Sequence, residues 1–123
     1  MLTIKPSEHT NIIEFELDGS LSREEFDQLA ARIEQTVVEY GEVRMIEVVK
    51  HVGSISPSTL WADFKFAPKH LKHFSHVAIV ADQKWIGWFS ELVKPLLHAQ
   101  ISNFRLDELE QARYWIRNAT ETV

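Results

Sequence analysis

His76-Val-Ala-Ile-Val-Ala81 runs straight into Asp82-Gln-Lys-Trp-Ile-Gly-Trp-Phe-Ser-Glu-Leu-Val-Lys-Pro-Leu-Leu97, and the two together read as a buried strand feeding a helix. A short unbroken apolar run is what a strand covered on both faces requires. At 100° per residue, Trp85, Phe89, Leu92, Val93 and Leu96 form one stripe, extended by Ile86 and Leu97 on one side and by Trp88 on the other. The apolar arc then covers about half the helix, where roughly 100° suffices to dock on a core. Part of it is expected to face something other than the domain's own core. A pocket, a membrane surface and a partner protein are the candidates.

Working outward, the same strand-then-helix rhythm recurs. Val43-Arg-Met-Ile-Glu-Val-Val49 is β-branched and mostly apolar, as a central strand would be. After the loop at 53–56, Ser56 can cap a helix that has Pro57 at its first position. Leu60, Trp61 and Phe64 mark that helix's apolar side. Pro68 disfavours helical geometry at Ala67, so the helix should break near residue 66 and restart as a short turn to about Phe74. Pro95 predicts a kink or an early end in the wide helix at 84–97.

Upstream, Leu2–Ile4 is a short strand. In Asn11–Asp18, Ile13, Phe15 and Leu17 alternate with Glu14, Glu16 and Asp18, the period of a half-buried strand. Ser22-Arg-Glu-Glu25 is a capping box, and Leu21 can staple to Phe26. Phe26, Leu29, Ala30, Ile33 and Val37 form the inner face of that helix, and Gly41 ends it. Downstream, Gln100–Leu106 alternates as a last strand. Asp107 is expected to cap a final helix with Leu109, Ala112 and Ile116 inward.

The order is β-β-α-β-α-β-α-β-α. It predicts a single α/β domain over residues 1–123, with about five strands and about four helices. Strands alternating with helices imply crossovers and a mainly parallel sheet. The first two strands, joined by a short turn, add an antiparallel edge, so the sheet is mixed.

That order, with the strand IEVV (46–49), the segment WADFKF (61–66), HVAIVADQKWIGWF (76–89) and the ending FRLDELEQARYWI (104–116), resembles the SpoIIAA-like family. These are relatives of the STAS domain best known from anti-sigma-factor antagonists. The resemblance spans nearly the whole chain and implies a mixed sheet covered by helices, similar also to CRAL-TRIO lipid carriers. It further implies binding of apolar ligands or association with membranes, and it brings no established enzyme activity with it. One departure stands out. Antagonist STAS domains carry an Asp-Ser-type motif after the third strand, whose serine is phosphorylated to release the partner. Here the stretch reads His51-Val-Gly-Ser-Ile-Ser-Pro-Ser-Thr59. Ser54, Ser56 and Ser58 are the candidate switch hydroxyls, but the Asp-Ser pair is missing and Ser56 already has work as a helix cap.

Composition narrows the function further. The 123 residues are 45% hydrophobic and 25% charged, as in a soluble globular protein, and contain no cysteine. That excludes a disulfide scaffold, a thiolate metal site and a cysteine nucleophile. The start of the chain lacks a signal peptide's pattern, and no run approaches a membrane span, so a cytoplasmic location is expected. The charge of −5 is uneven. Residues 1–60 carry 5 Lys/Arg against 11 Asp/Glu, and residues 61–123 carry 8 against 7. An acidic whole argues against nucleic-acid binding. The basic, histidine-rich second half suits an anionic headgroup, which allows peripheral contact with the inner membrane face.

Trp61, Phe64, Lys65, Lys84, Trp85, Trp88, Phe89 and Leu92 are the candidate ligand- or membrane-contacting residues. Burying one Trp is worth roughly 4–6 kcal/mol as an upper figure, which pulls these aromatics toward the core. Against that, both of their helices follow the C-terminal ends of parallel strands, where open α/β sheets bind ligands. His70, His73 and His76 recur every three residues, but the last begins a strand and no acid lies among them. They read as solvated or headgroup-facing histidines, not as metal ligands. Asp82 closes a strand without a visible acid, base or metal to work with. No phosphate loop, nucleophile elbow or zinc-protease motif is present. The sequence therefore predicts a non-enzymatic, cofactor-free binding protein for a small apolar or amphipathic ligand. The alternative is a STAS-type interaction module that docks a protein partner or a second copy of itself.

Overall fold

The computed structural model describes residues 1–6, 10–19, 22–51, 73–82 and 99–119. Five strands form one sheet in the order β1-β2-β3-β4-β5. They are β1 (Leu2–Ile4), β2 (Ile12–Asp18), β3 (Val43–His51), β4 (Phe74–Ala81) and β5 (Gln100–Phe104). β1 pairs antiparallel with β2, with Leu2 opposite Leu17. The other three pairings are parallel. The mixed, mainly parallel α/β sheet read from the sequence is therefore present, with β3 at its centre.

Helix α1 (Arg23–Tyr40) is capped as its sequence dictates. The Glu25 amide donates to Ser22 Oγ and the Ser22 amide to Glu25 Oε1, both at 3.1 Å. The second oxygen of Glu25 accepts the Leu2 amide at 2.5 Å, so the same carboxylate also pins β1. Gly41 has φ +82°, the left-handed turn that glycine adopts without steric cost, and its N–H closes on Val37 O. Phe26, Leu29 and Ile33 are buried as expected, while Ala30 and Val37 are half-buried. Thr36 is buried too, its hydroxyl returned to Arg32 O at 2.8 Å. A polar residue is tolerated there because its one donor is satisfied within the helix.

The second described helix, α2 (Leu109–Asn118), follows a single 3₁₀ turn at Leu106–Glu108. Its start differs from the sequence expectation. Asp107 Oδ1 is taken by Arg105 Nε, and Glu108 Oε1 accepts the Arg105 amide. These contacts tighten the chain into a 3₁₀ turn, end β5 at Phe104, and move the helix start past Asp107. β4 likewise begins at Phe74, two residues earlier than the apolar run suggested, where Phe74 pairs with Val43 across a register shift. The helices expected at 57–66 and 84–97, and the staple through Leu21, lie outside the described residues.

Two cores occupy opposite faces of the sheet. On β3, Val43 and Met45 join Ile13, Phe15, Leu29 and Ile33 under α1. The alternate residues Ile46 and Val48 join Ala78, Val80, Ala112 and Ile116 under α2. Each fully buried aliphatic side chain contributes about 1.5–3 kcal/mol. A helix of ten residues is marginal alone, so α2 depends on this docking. β4 is buried from His76 to Ala81, the two-sided burial its apolar run predicted.

Candidate ligand-binding site

β2, β3, β4 and β5 run in one direction, so Asp18, His51, Ala81 and Phe104 end along one edge of the sheet. The central strands β3 and β4 end there side by side. Toward the α1 face β3 presents Val43, Met45, Glu47 and Val49. Glu47 pairs in register with Phe15 of β2 and Ile79 of β4, both buried. A carboxyl group thus sits in the middle of an apolar face, closer to the C-terminal end of β4 than to its start.

Glu47 is half-buried by area, yet enclosed enough that desolvation pushes its carboxyl up to about 7. Burial is the cause, because it disfavours the charged form. Among the described residues it has no hydrogen-bond or ion-pair partner. Phe15 and Met45 of the α1-side core are its neighbours on this face. A carboxyl of this kind can accept hydrogen bonds when ionised and donate one when protonated, and near neutral pH it does both.

The opposite face is fully paired. Glu14 of β2 receives Arg113 Nε at 2.9 Å and Nη2 at 2.8 Å, a bidentate fork, and Lys5 Nζ lies 3.0 Å away. The Arg113 and Glu14 side chains are only 18% and 13% exposed. Desolvation pushes the Glu14 carboxyl up, but the Arg113 and Lys5 hydrogen bonds outweigh it and hold it below the usual value. Arg44 of β3 donates to Asn11 Oδ1 at 2.9 Å and to Ile116 O at 2.7 Å, closing the C-terminal end of α2. A cleft of about 150 Å³ beside Lys5, Ile12, Glu14, Arg113 and Arg117 opens on this side. Its buried charges are already matched.

The residues singled out in the sequence fall unevenly on this frame. Trp61, Phe64, Lys65, Lys84, Trp85, Trp88, Phe89 and Leu92 lie outside the described residues, as do Ser54, Ser56 and Ser58. Asp82 follows β4 directly and is exposed. His76 corrects the reading of the histidine series. It is 4% exposed, edge-on to Trp115 at 5.7 Å, with Nδ1 3.1 Å from Ser75 Oγ. It belongs to the α2-side core, where the strand's alternation puts it, and faces no headgroup. Among the described residues no group of three His, Asp or Glu could hold a metal ion, and no helix is long and apolar enough to cross a membrane.

The comparison with known families settles the fold's kinship. The SpoIIAA-like family matches residues 12–117, from the start of β2 to the last turn of α2. The chain belongs to the SpoIIAA-like family. A solved relative by fold is an uncharacterized protein of the DUF3478 family with a SpoIIAA-like fold, from Shewanella loihica PV-4. It is 19% identical, covers 94% of this chain and 92% of its own, and superposes with a TM-score of 0.66. At that identity the likeness speaks for the fold alone. No curated protein matches.

In this SpoIIAA-like chain Glu47 is the partly buried acid that sequence reading missed. The signal was there. Val43, Met45, Glu47 and Val49 share a face at period two, and one acid in such a set has no solvent side to turn to. Glu14 was read as the exposed half of an alternating strand. Its cover, Arg113, lies 99 residues away.

Proposed function

We propose that this SpoIIAA-like protein binds a small apolar or amphipathic, lipid-like ligand at the C-terminal edge of its parallel sheet, and meets membrane surfaces peripherally while doing so. The observation that carries the reading is the arrangement of β3 and β4. They are adjacent, central and parallel, and each hands the chain to its next segment at the edge where open α/β sheets take ligands. Those two segments hold three of the four tryptophans, Trp61, Trp85 and Trp88, together with Phe64, Phe89 and Leu92. Lys65 and Lys84 supply cations for a headgroup. The similarity to CRAL-TRIO carriers suggested by the sequence points the same way, as does the absence of a catalytic motif. The test is native mass spectrometry and lipid extraction of protein purified without detergent. A co-purifying amphiphile at stoichiometric level is expected; protein that is consistently empty, and takes up no added lipid, contradicts the reading.

Family membership favours a second reading, a STAS-type regulatory module that docks a protein or a second copy of itself. Phosphate on Ser54, Ser56 or Ser58 after incubation with cell extract and ATP, coupled to a change in self-association by light scattering, would promote it over ligand binding.

A further inference from the structure

Three cations, Lys5, Arg113 and Arg117, line the cleft of about 150 Å³ on the α2 face, together with Ile12 and Ile46. Glu14 is the one carboxylate in that lining, in a chain whose formal charge is −5. The fold gathers these groups from distant stretches. Arg113 and Arg117 stand one turn apart on one side of α2. Lys5 follows β1, and its amide donates to Glu14 O at 2.9 Å. The buried pair of Glu14 and Arg113 is matched, but the donors around it outnumber the acceptors. Arg113 has five N–H groups, of which two go to Glu14 and one to Glu110. Lys5 has three and gives one to Glu14 at 3.0 Å. The Arg117 guanidinium is exposed and has no acceptor among the described residues.

Two features would repel an anion here, and both are offset. Each Glu14 oxygen is held by the Arg113 fork, and Lys5 adds to one of them. The C-terminal end of α2 carries partial negative charge, but Arg44 donates to Ile116 O at 2.7 Å. Four cations then stand against two carboxylates, Glu14 and the exposed Glu110. We infer that this cleft is an anion site for a dianionic phosphoryl group, held by Arg117, Lys5 and the uncommitted N–H groups of Arg113. A positive excess of this size suits a dianion better than a carboxylate, and guanidinium groups match phosphate oxygens in pairs. The cleft has the volume of about five waters. It encloses one phosphoryl group, and the rest of a larger ligand lies outside it. Ile12 begins β2, so the site is away from the C-terminal edge proposed for the apolar ligand, and either can fail without the other.

The test is an amide NMR titration of the whole protein at about pH 8, where phosphate monoesters are dianions, with ionic strength held by chloride. The probes are inorganic phosphate, glycerol phosphate, dihexanoyl phosphatidate below its micelle concentration, and acetate. Phosphate should give saturable shifts at Ile12, Arg113 and Arg117, half-complete below about 10 mM, with acetate at least about fivefold weaker. Lys5 and Arg117 are exposed, so Lys5→Gln and Arg117→Gln should keep the fold. Together they should weaken phosphate at least about tenfold, while Arg23→Gln on α1 leaves it unchanged. Tighter binding of the phosphatidate than of the two soluble phosphates would assign the group to a lipid head, and the reverse to a soluble phosphate. Shifts that do not saturate, equal binding of acetate, or phosphate binding that survives the double substitution overturns the site. The wild-type preference for phosphate over acetate decides the matter even if a variant is poorly folded.

Discussion

Glu14 and Glu47 occupy neighbouring strands of one sheet and face opposite sides of it. Both are carboxylates drawn out of water. One is held below its usual titration range and the other is pushed up to about 7. Desolvation acts on both in the same direction. The difference is the arrival of Arg113 from α2 on one face and the lack of any such donor, among the described residues, on the other. Burial alone therefore does not fix how an acid behaves in this fold; the helix laid over it does. A paired carboxylate is part of the scaffold, and an unpaired one is a cost that the fold carries.

The largest expected effect breaks the paired side. Arg113→Met removes the fork while Glu14 stays under α2. A buried charge stripped of its partner costs about 3–5 kcal/mol, with the lower end expected here because Lys5 remains. Urea unfolding near neutral pH measures it. A loss below about 1 kcal/mol would mean that Glu14 behaves as a surface acid.

The next effect is of opposite sign and comes from the unpaired side. With its carboxyl raised to about 7 from 4.5, Glu47 binds its proton more tightly in the native than in the unfolded chain. Its cost is absent at low pH, grows as pH rises from the unfolded value through about 7, and is complete above that. Glu47→Gln should thus gain up to about 3 kcal/mol at about pH 8 and almost nothing at about pH 4. Glu14 runs the other way: its contribution is present above the unfolded value near 4.5 and is lost as pH falls through its lower native one. Destabilisation by Glu47→Gln at the higher pH would reveal a partner and end the contrast.

The smallest effect sets the scale for both. Glu25 is held low by the amide of Leu2 and then by that of Ser22, which outweigh a smaller push up from desolvation. Ser22→Ala keeps those bonds and removes only the reciprocal one, at a cost of about 1 kcal/mol. A thermal melt at neutral pH is sufficient to see it.

Much of this was legible in the residues. Ser22, Glu25 and Gly41 wrote both ends of α1, because caps act over three or four positions. Ile13, Phe15 and Leu17 wrote the inner face of β2 through period two. What stayed hidden was set by distance along the chain. No window around Glu14 contains Arg113, and none around Arg44 contains Ile116. Asp107 was misread because Arg105, two residues earlier, competes for it. Glu47 was passed over because Val43–Val49 is apolar enough to be taken as buried on both faces, and only its alternation separates the two. His76 was assigned to solvent by its spacing from His70 and His73, although its own strand turns it inward.

The 99 residues between Glu14 and Arg113 also have a meaning in time. At about 5–20 residues per second, a ribosome makes Arg113 roughly 5–20 s after Glu14. For that interval α2 is missing from its face of the sheet, and Glu14 has Lys5 but not the Arg113 fork. The strand that carries Glu14 is thus made well before the helix that brings its fork.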